Sequence, residues 1–151
     1  HLLDLAAEMG IEDPFDFRVI SSYWTGSPKT NLDHFHNAAT LVPLLKADSS
    51  DPRLAQKDLC LIHAANITEV GPKFLTVSYN PLRIEKGELK LGQVTTRRVS
   101  TDLLHGEIRQ RGFVAMHYSW AICNLSAQEY ADLQQSTLNA LERFNALRRA
   151  S

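Results

Sequence analysis

The segment Asp33-His34-Phe35-His36 brings two imidazoles and a carboxylate close together, and such groups can bind a metal or transfer protons. In a β-strand, residues two apart point to the same side, as shared metal ligands must. In an α-helix, the same two side chains diverge by about 200°. The surrounding residues predict a helix, and His63, His105 and His117 supply no further ligand at a specifying distance. We therefore expect no bound metal and no cofactor.

His63 and His117 each lie in an apolar segment, where a single histidine is typical of a hydrogen-bonded core residue. Neither has a carboxylate at a spacing that indicates an acid–base dyad. Cys60 and Cys123 also lie in apolar segments, which predicts two buried thiols in a reducing compartment. The sequence contains no nucleophile elbow and no glycine-rich phosphate loop. An enzymatic activity is thus neither indicated nor excluded.

The segment Phe113 to Asn124 is the most informative for ligand binding. Read as one strand, its alternation places Val114, Met116, Tyr118, Trp120 and Ile122 on one face. Tyr118 and Trp120 could supply both an apolar wall and a hydrogen-bonding group to a cavity. In the adjacent pair Arg97-Arg98, the side chains of a strand point to opposite faces, and one could bind a carboxylate or phosphate at the cavity mouth. The predicted ligand-binding residues are Tyr79, Met116, Tyr118, Trp120 and Arg98.

Composition limits the kind of protein that must position these residues. The chain has 151 residues, 44% of them hydrophobic and 22% charged, with a formal net charge of −1. This length predicts a single domain over residues 1–151. The charge argues against a nucleic-acid partner, and no apolar run approaches the length of a membrane span. We expect a cytoplasmic protein. The clustered arginines are compatible with a contact surface between copies of the chain, so a homo-oligomer is possible.

The first sixty residues predict mainly short helices. Leu2 to Met9 should form a helix that ends at Gly10, and Phe15 to Trp24 reads as a strand because β-branched and aromatic residues dominate it. Thr30 or Asn31 could cap a following helix, which Pro43 would end or kink. Pro52 could begin another short helix.

The rest of the chain predicts a sheet followed by one long helix. Hairpins are expected from Leu59–Val70 with Phe74–Asn80 and from Leu82–Glu85 with Glu88–Val99, and Glu107–Asn124 should contain one or two strands broken near Gly112. Ser126 and Glu129 have the spacing of a capping box. Apolar residues at helical spacing follow, predicting a terminal helix of about 22 to 25 residues.

This order of elements predicts an α+β fold in which an antiparallel sheet carries a long C-terminal helix. The order resembles the helix-grip fold of the START and plant-allergen class. The resemblance implies a curved sheet that wraps the terminal helix, with a ligand cavity between them. Hotdog-type thioesterases are the alternative resemblance, with Leu32 to Leu45 as the central helix. No motif transfers a functional residue from either class.

Three functions are compatible with this fold. The first is binding of a small, largely apolar ligand between sheet and C-terminal helix, as a carrier, sensor or cyclase-like enzyme. The second is a hotdog-type acyl-thioester enzyme that uses the Asp33 to His36 segment. The third is an oligomeric assembly or chaperone-like protein without a small ligand, its apolar faces buried between subunits.

Overall fold

The computed structural model describes residues 1–26 and 31–150, and these form an α+β fold. Helices precede and follow a block of strands, and the chain order confirms the predicted fold class. The helices are α1 (Leu2–Met9), α2 (Phe17–Thr25), α3 (His36–Leu41), α4 (Arg53–Cys60) and α5 (Ala127–Ala150). Single 3₁₀ turns at Leu32–His34 and Val42–Leu44 flank α3. The strands are β1 (His63–Val70), β2 (Phe74–Tyr79), β3 (Leu82–Glu85), β4 (Glu88–Leu91), β5 (Thr95–Ser100), β6 (Phe113–His117) and β7 (Trp120–Leu125).

Five of the strands close into a barrel in the order β1-β2-β5-β7-β6, and β6 pairs with β1 to complete it. All neighbours are antiparallel except β5 and β7, which are parallel and share the single residue pair Ser100–Trp120. The interior is filled by side chains, as expected for a barrel this small. They form one buried cluster: Ala65, Ile67, Leu75, Val77, Tyr79, Val99, Val114, Met116 and Ala121.

The long helix α5 lies outside the barrel and contacts β1, β6 and β7. Its apolar face, which includes Leu133, Leu141 and Phe144, joins a second core cluster with α3, α4 and the hairpin β3–β4. The sheet therefore surrounds its own side chains and does not curve around the helix as the helix-grip resemblance implied. The physical reason is that β6 pairs with both β7 and β1 while β5 meets β7 in a single residue pair, so the five strands form a closed ring.

The predicted capping box of α5 is present in the structure. The Glu129 amide donates to Ser126 Oγ at 3.2 Å, and the Ser126 amide donates to Glu129 Oε2 at 2.7 Å. These two bonds satisfy backbone donors that the first turn of a helix leaves free. The helix that follows has 24 residues, within the predicted length.

Two buried asparagines connect helices to strands. Asn145 of α5 accepts from the Leu89 amide of β4 and donates to the Leu89 carbonyl, at 2.8 and 2.9 Å. Asn37 of α3 does the same with Ile62, just before β1, at 2.7 and 2.9 Å. Each side-chain amide thus replaces a strand neighbour and satisfies the backbone groups of a buried residue.

Residues 15–24 form a helix over most of their length, so the predicted strand is wrong. Asp16 caps α2 by accepting from the Arg18 amide at 2.9 Å, and Val19 and Ser22, three apart, are buried on one face. Local capping and a helical burial pattern outweigh β-propensity here. The helices predicted at Leu2–Met9 and after Pro52 are confirmed.

The caps and breaks predicted elsewhere have mixed outcomes. Asn31 Oδ1 accepts from the Asp33 amide at 3.1 Å, whereas Thr30 lies outside the described residues. The predicted helix up to Pro43 is divided into a 3₁₀ turn, α3 and a second 3₁₀ turn that contains Pro43. The strand expected from Glu88 to Val99 is interrupted between Leu91 and Thr95.

The segment Phe113 to Asn124 is two strands, so its predicted single alternation is wrong. Tyr118 and Ser119 form the turn between β6 and β7, and Tyr118 has φ of 52°, a left-handed conformation that is uncommon for a bulky residue. The turn reverses the chain, and Trp120 is then 40% exposed whereas Met116 is buried in the barrel. Within the described residues, α5 is the one helix of spanning length, and it is too polar to cross a membrane.

Candidate functional site

The five predicted ligand-binding residues occupy three separate places. Tyr79 and Met116 lie inside the barrel, and Tyr118 and Trp120 lie at the turn between β6 and β7. Arg98 lies on the outer face of β5, with its guanidinium carbon 3.6 Å from the centre of the Phe74 ring. The structure therefore does not bring these five side chains into one cavity.

Tyr79 belongs to a buried polar network centred on Asp58. The Asp58 carboxylate accepts from the Leu82 amide at 2.6 Å, lies 3.2 Å from His63 Nε2 and is 3.5 Å from the Tyr79 hydroxyl. Burial alone would raise the pKa of Asp58, but hydrogen bonds from His63 and Leu82, with the charges of His63 and Arg97, hold it below its usual value. This network connects α4 to three strands, and its members are buried.

Arg97 points toward this network and Arg98 points away from it. Arg97 lies two residues from the buried Val99, on the same side of β5, and its charge acts on both Asp58 and Tyr79. Its Nη1 atom is buried and makes no hydrogen bond with the described residues. The alternation of a strand predicted that the two arginines diverge, but it could not decide which of them points inward.

The interface between barrel and α5 leaves little space. One cavity there, between Ala64 and Thr137, measures about 20 Å³, which is room for about one water molecule. A groove of about 480 Å³ lies along β4 and α5, and it is lined by leucines and by Glu88, Lys90, Glu142 and Arg149. None of the five predicted residues lines either space.

An apolar cavity lies instead between α2 and β7, and we call it the α2–β7 cavity. Its volume is about 340 Å³, within the range of small-molecule sites. Leu103, from the loop after β5, completes its wall. The lining residues are Phe17, Ile20, Ser21, Trp24, Thr25, Leu103, Ile122 and Cys123. These residues are uncharged at neutral pH, since burial raises the pKa of the Cys123 thiol and the charge of Glu129 raises it further.

The Trp24 indole is held in place by rings on the side of α3 and β6. It lies 4.7 Å from the His36 ring at an interplanar angle of 34°, and 5.6 Å from the His117 ring at 62°. Tyr23 contacts it edge-on at 5.6 Å. We call Trp24, His36 and His117 the two-histidine cluster. It fixes the orientation of one wall of the α2–β7 cavity.

The two imidazoles of this cluster are in an environment that favours their neutral form. His36 Nε2 lies 3.0 Å from the Cys60 carbonyl, and its Nδ1 lies 3.3 Å from the Tyr23 hydroxyl. Burial lowers the pKa of His36, and the charge of Lys57 lowers it further. Burial also lowers the pKa of His117, with a further contribution from His36. In their neutral form the two imidazoles, whose ring centres are 5.4 Å apart, do not repel each other and can both pack against the indole.

Cys60 and Tyr118 meet beside this cluster. The Cys60 thiol and the Tyr118 hydroxyl are 2.6 Å apart, and the Tyr118 amide donates to the Leu59 carbonyl at 2.8 Å. This bond, with the charge of Cys60, raises the pKa of Tyr118. The turn that carries Tyr118 is therefore fastened to the end of α4.

The Asp33 to His36 segment does not form one site. Asp33 pairs with Arg143 of α5 at 2.8 Å, His34 Nε2 lies 3.4 Å from Glu8 of α1, and His36 packs on Trp24. The three side chains therefore contact different helices. Across residues 1–26 and 31–150, no group of three or more histidine, cysteine, aspartate or glutamate side chains is arranged to hold a metal.

The residues of the α2–β7 cavity were not among the predicted site residues. Reading residues 15–24 as a strand concealed the helical face that Phe17, Ile20, Ser21 and Trp24 share. A helical reading, with Asp16 as the cap, would have placed these four side chains on one side. Ile122 and Cys123 carried no separate signal, because an apolar strand is typical of any core.

Comparison with known proteins gives a family but no activity. The model of DUF6390, a family of unknown function, matches residues 34–151, and the chain belongs to this family. No curated protein and no solved structure matches the chain.

Proposed function

We propose that this chain binds a small, largely apolar ligand in the α2–β7 cavity, as a carrier or sensor. The observation that carries the proposal is the cavity itself: about 340 Å³, lined by apolar and aromatic side chains with the hydroxyls of Ser21 and Thr25 among them. Cavities of this kind bind small molecules through apolar contact and use a few polar groups for orientation. The location differs from the one that the sequence predicted, between sheet and C-terminal helix.

Two further features support this proposal. The indole of Trp24 is held in place by His36 and His117 of the two-histidine cluster, so a ligand would meet a wall that is already formed. Phe17 and Leu103 line the cavity and are 80% and 50% exposed, so ligand contact would remove apolar surface from water. A preformed wall reduces the ordering that binding would otherwise require.

Both cysteines are free thiols, which supports a reducing compartment such as the cytoplasm for this function. Of the alternatives, the acyl-thioester enzyme loses support because Asp33, His34 and His36 contact different partners. Assembly into an oligomer remains the alternative, since a second copy could cover Phe17 and Leu103.

Tryptophan fluorescence can test the proposal directly. The chain has two tryptophans, and Trp120→Phe leaves Trp24 as the only tryptophan, which can be excited selectively over the tyrosines. We expect the neutral probe N-phenyl-1-naphthylamine to quench Trp24 saturably and to gain fluorescence itself. Ser21→Phe, which places a ring in the cavity, should weaken binding at least tenfold. Ser49→Phe, at an exposed loop position, is the matched control and should leave binding unchanged.

Two outcomes would overturn the proposal. One is the absence of saturable quenching in a protein whose unfolding transition is intact. The other is equal binding by Ser21→Phe and Ser49→Phe. Light scattering at several concentrations separates the assembly alternative, which predicts a stable oligomer that Phe17→Ser dissociates.

A further inference from the structure

We propose that the α2–β7 cavity selects neutral, planar aromatic compounds that carry a hydroxyl or carbonyl group, and rejects their carboxylate analogues. This inference rests on the proposed function and specifies its ligand class. It depends on three properties of the cavity: its shape, its charge and the Ser21 hydroxyl on its wall.

Two aromatic residues of α2 contribute to the shape of the cavity. Trp24 and Phe17 both line the cavity, and Trp24 cannot turn freely because His36, His117 and Tyr23 pack around its ring. An indole held in one orientation can pair with an aromatic ligand in a stacked or an edge-to-face arrangement. Planar rings therefore fit this wall better than flexible acyl chains, which would lose more conformational freedom on binding.

The side chains around the cavity are unfavourable for a carboxylate. Among the described residues that line the cavity there is no cation, and the two imidazoles behind Trp24 are in an environment that favours their neutral form. Glu129, in the first turn of α5, is close enough to Cys123 for its negative charge to act on the thiol at the cavity wall. An anionic ligand group would lose its hydration without gaining a partner, and it would also be repelled.

The polar group is the Ser21 hydroxyl. Ser21 lines the cavity, and its backbone carbonyl accepts from the Thr25 hydroxyl at 2.8 Å. Its own hydroxyl makes no hydrogen bond within the described part of the chain. It can thus donate to a ligand carbonyl or accept from a ligand hydroxyl, which would set the orientation of the ring.

The test compares three compounds of nearly equal size: naphthalene, 2-naphthol and 2-naphthoate. Binding to Trp120→Phe is followed at pH 7.5 by quenching of Trp24. We expect 2-naphthol to bind more tightly than naphthalene, and 2-naphthoate to bind at least tenfold more weakly than 2-naphthol. Ser21→Ala should weaken 2-naphthol about threefold to tenfold and leave naphthalene unchanged, because only 2-naphthol has a hydroxyl to lose a partner.

Glu129→Gln gives a second, independent readout. Glutamine can keep the capping bond to the Ser126 amide, so the helix cap is retained while the charge is removed. We expect this variant to narrow the difference between 2-naphthol and 2-naphthoate, more so at low ionic strength. Equal affinity of the two compounds for the unmodified site would overturn the selectivity. Binding of N-phenyl-1-naphthylamine without binding of any of the three would also overturn it and leave the proposed function standing, whereas failure of all four probes overturns both.

Discussion

Removing the Asn37 side chain should be among the most damaging single changes in this protein. Asn37 is fully buried, and its amide makes three hydrogen bonds, two with the Ile62 backbone and one with Thr137 Oγ1 at 2.9 Å. In Asn37→Ala the amide and carbonyl of Ile62, a residue that is 1% exposed, lose these partners. Each buried group left without a bond costs about 1–3 kcal/mol, so we expect a loss near 4 kcal/mol.

Such a loss is a large fraction of the 5–15 kcal/mol that is typical of a folded domain. Urea denaturation followed by circular dichroism would measure it as a lower midpoint at an unchanged slope. The melting temperature should fall by roughly 10 °C. Asn139→Ala is the matched control, because Asn139 is an exposed asparagine of α5 whose side-chain carbonyl accepts a hydrogen bond from Gln135 on the same helix. It should change stability by less than about 0.5 kcal/mol.

A double-mutant cycle tests the mechanism of this loss. Thr137→Val removes one acceptor of the Asn37 amide and should cost about 1–2 kcal/mol alone, but much less when Asn37 is already alanine. A cost below about 1 kcal/mol for Asn37→Ala, or strict additivity with Thr137→Val, would refute the reasoning. The first result would mean that water satisfies the Ile62 backbone groups in place of the asparagine, and the second that the Asn37–Thr137 bond contributes no coupling energy.

Three further predictions concern the helix cap, the acid response and two glycines. Ser126→Ala should destabilise the protein by about 1 kcal/mol in urea titration, because the first turn of α5 loses a cap. Burial lowers the pKa of His36 and His117 below 6.5, so the unfolded chain takes up protons at a higher pH than the folded protein does. The resulting stability should be fully present above pH 6.5 and should fall as the pH drops toward the folded-state pKa values. Replacing both residues with glutamine should make the melting temperature fall less steeply at acid pH. Gly26→Ala should lower the free energy of unfolding by about 3 kcal/mol or more, because φ is 71° and a β-carbon would lie 2.6 Å from a side chain of α5. Gly10→Ala, at φ of 66° with open space around it, should lower it by about 1 kcal/mol, and thermal melts measure both. Equal losses for the two glycines would contradict this argument.

Local signals in the sequence were sufficient to predict the helices whose first residues have a recognisable capping pattern. The capping box of α5 depends on Ser126 and Glu129 alone, and both side chains form the bonds that their spacing predicts. Pro52 likewise lies at the cap position directly before α4, since the fixed backbone angle of proline suits the start of any helix. Such features need no knowledge of the rest of the fold.

The candidate site depended on features that no local pattern contains. The turn at Tyr118 has no glycine to mark it, and its left-handed backbone is fastened by bonds to Leu59 and Cys60, nearly sixty residues earlier. Closure of the barrel by β6 and β1 depends on partners that lie fifty residues apart. The orientation of Trp24 in the cavity wall depends on ring contacts with His36 of α3 and His117 of β6, which lie far from it in the sequence.

The single residue pair between β5 and β7 makes the barrel a ring with one weak junction. Every other junction between its neighbouring strands contains at least four residue pairs. Separating Ser100 from Trp120 would turn the barrel into an open five-stranded sheet, β5-β2-β1-β6-β7, in which all the antiparallel pairing survives. Partial openings of this kind expose backbone amides without global unfolding. We therefore expect the interior of this protein to exchange with solvent first at the end of the barrel that Trp120 occupies.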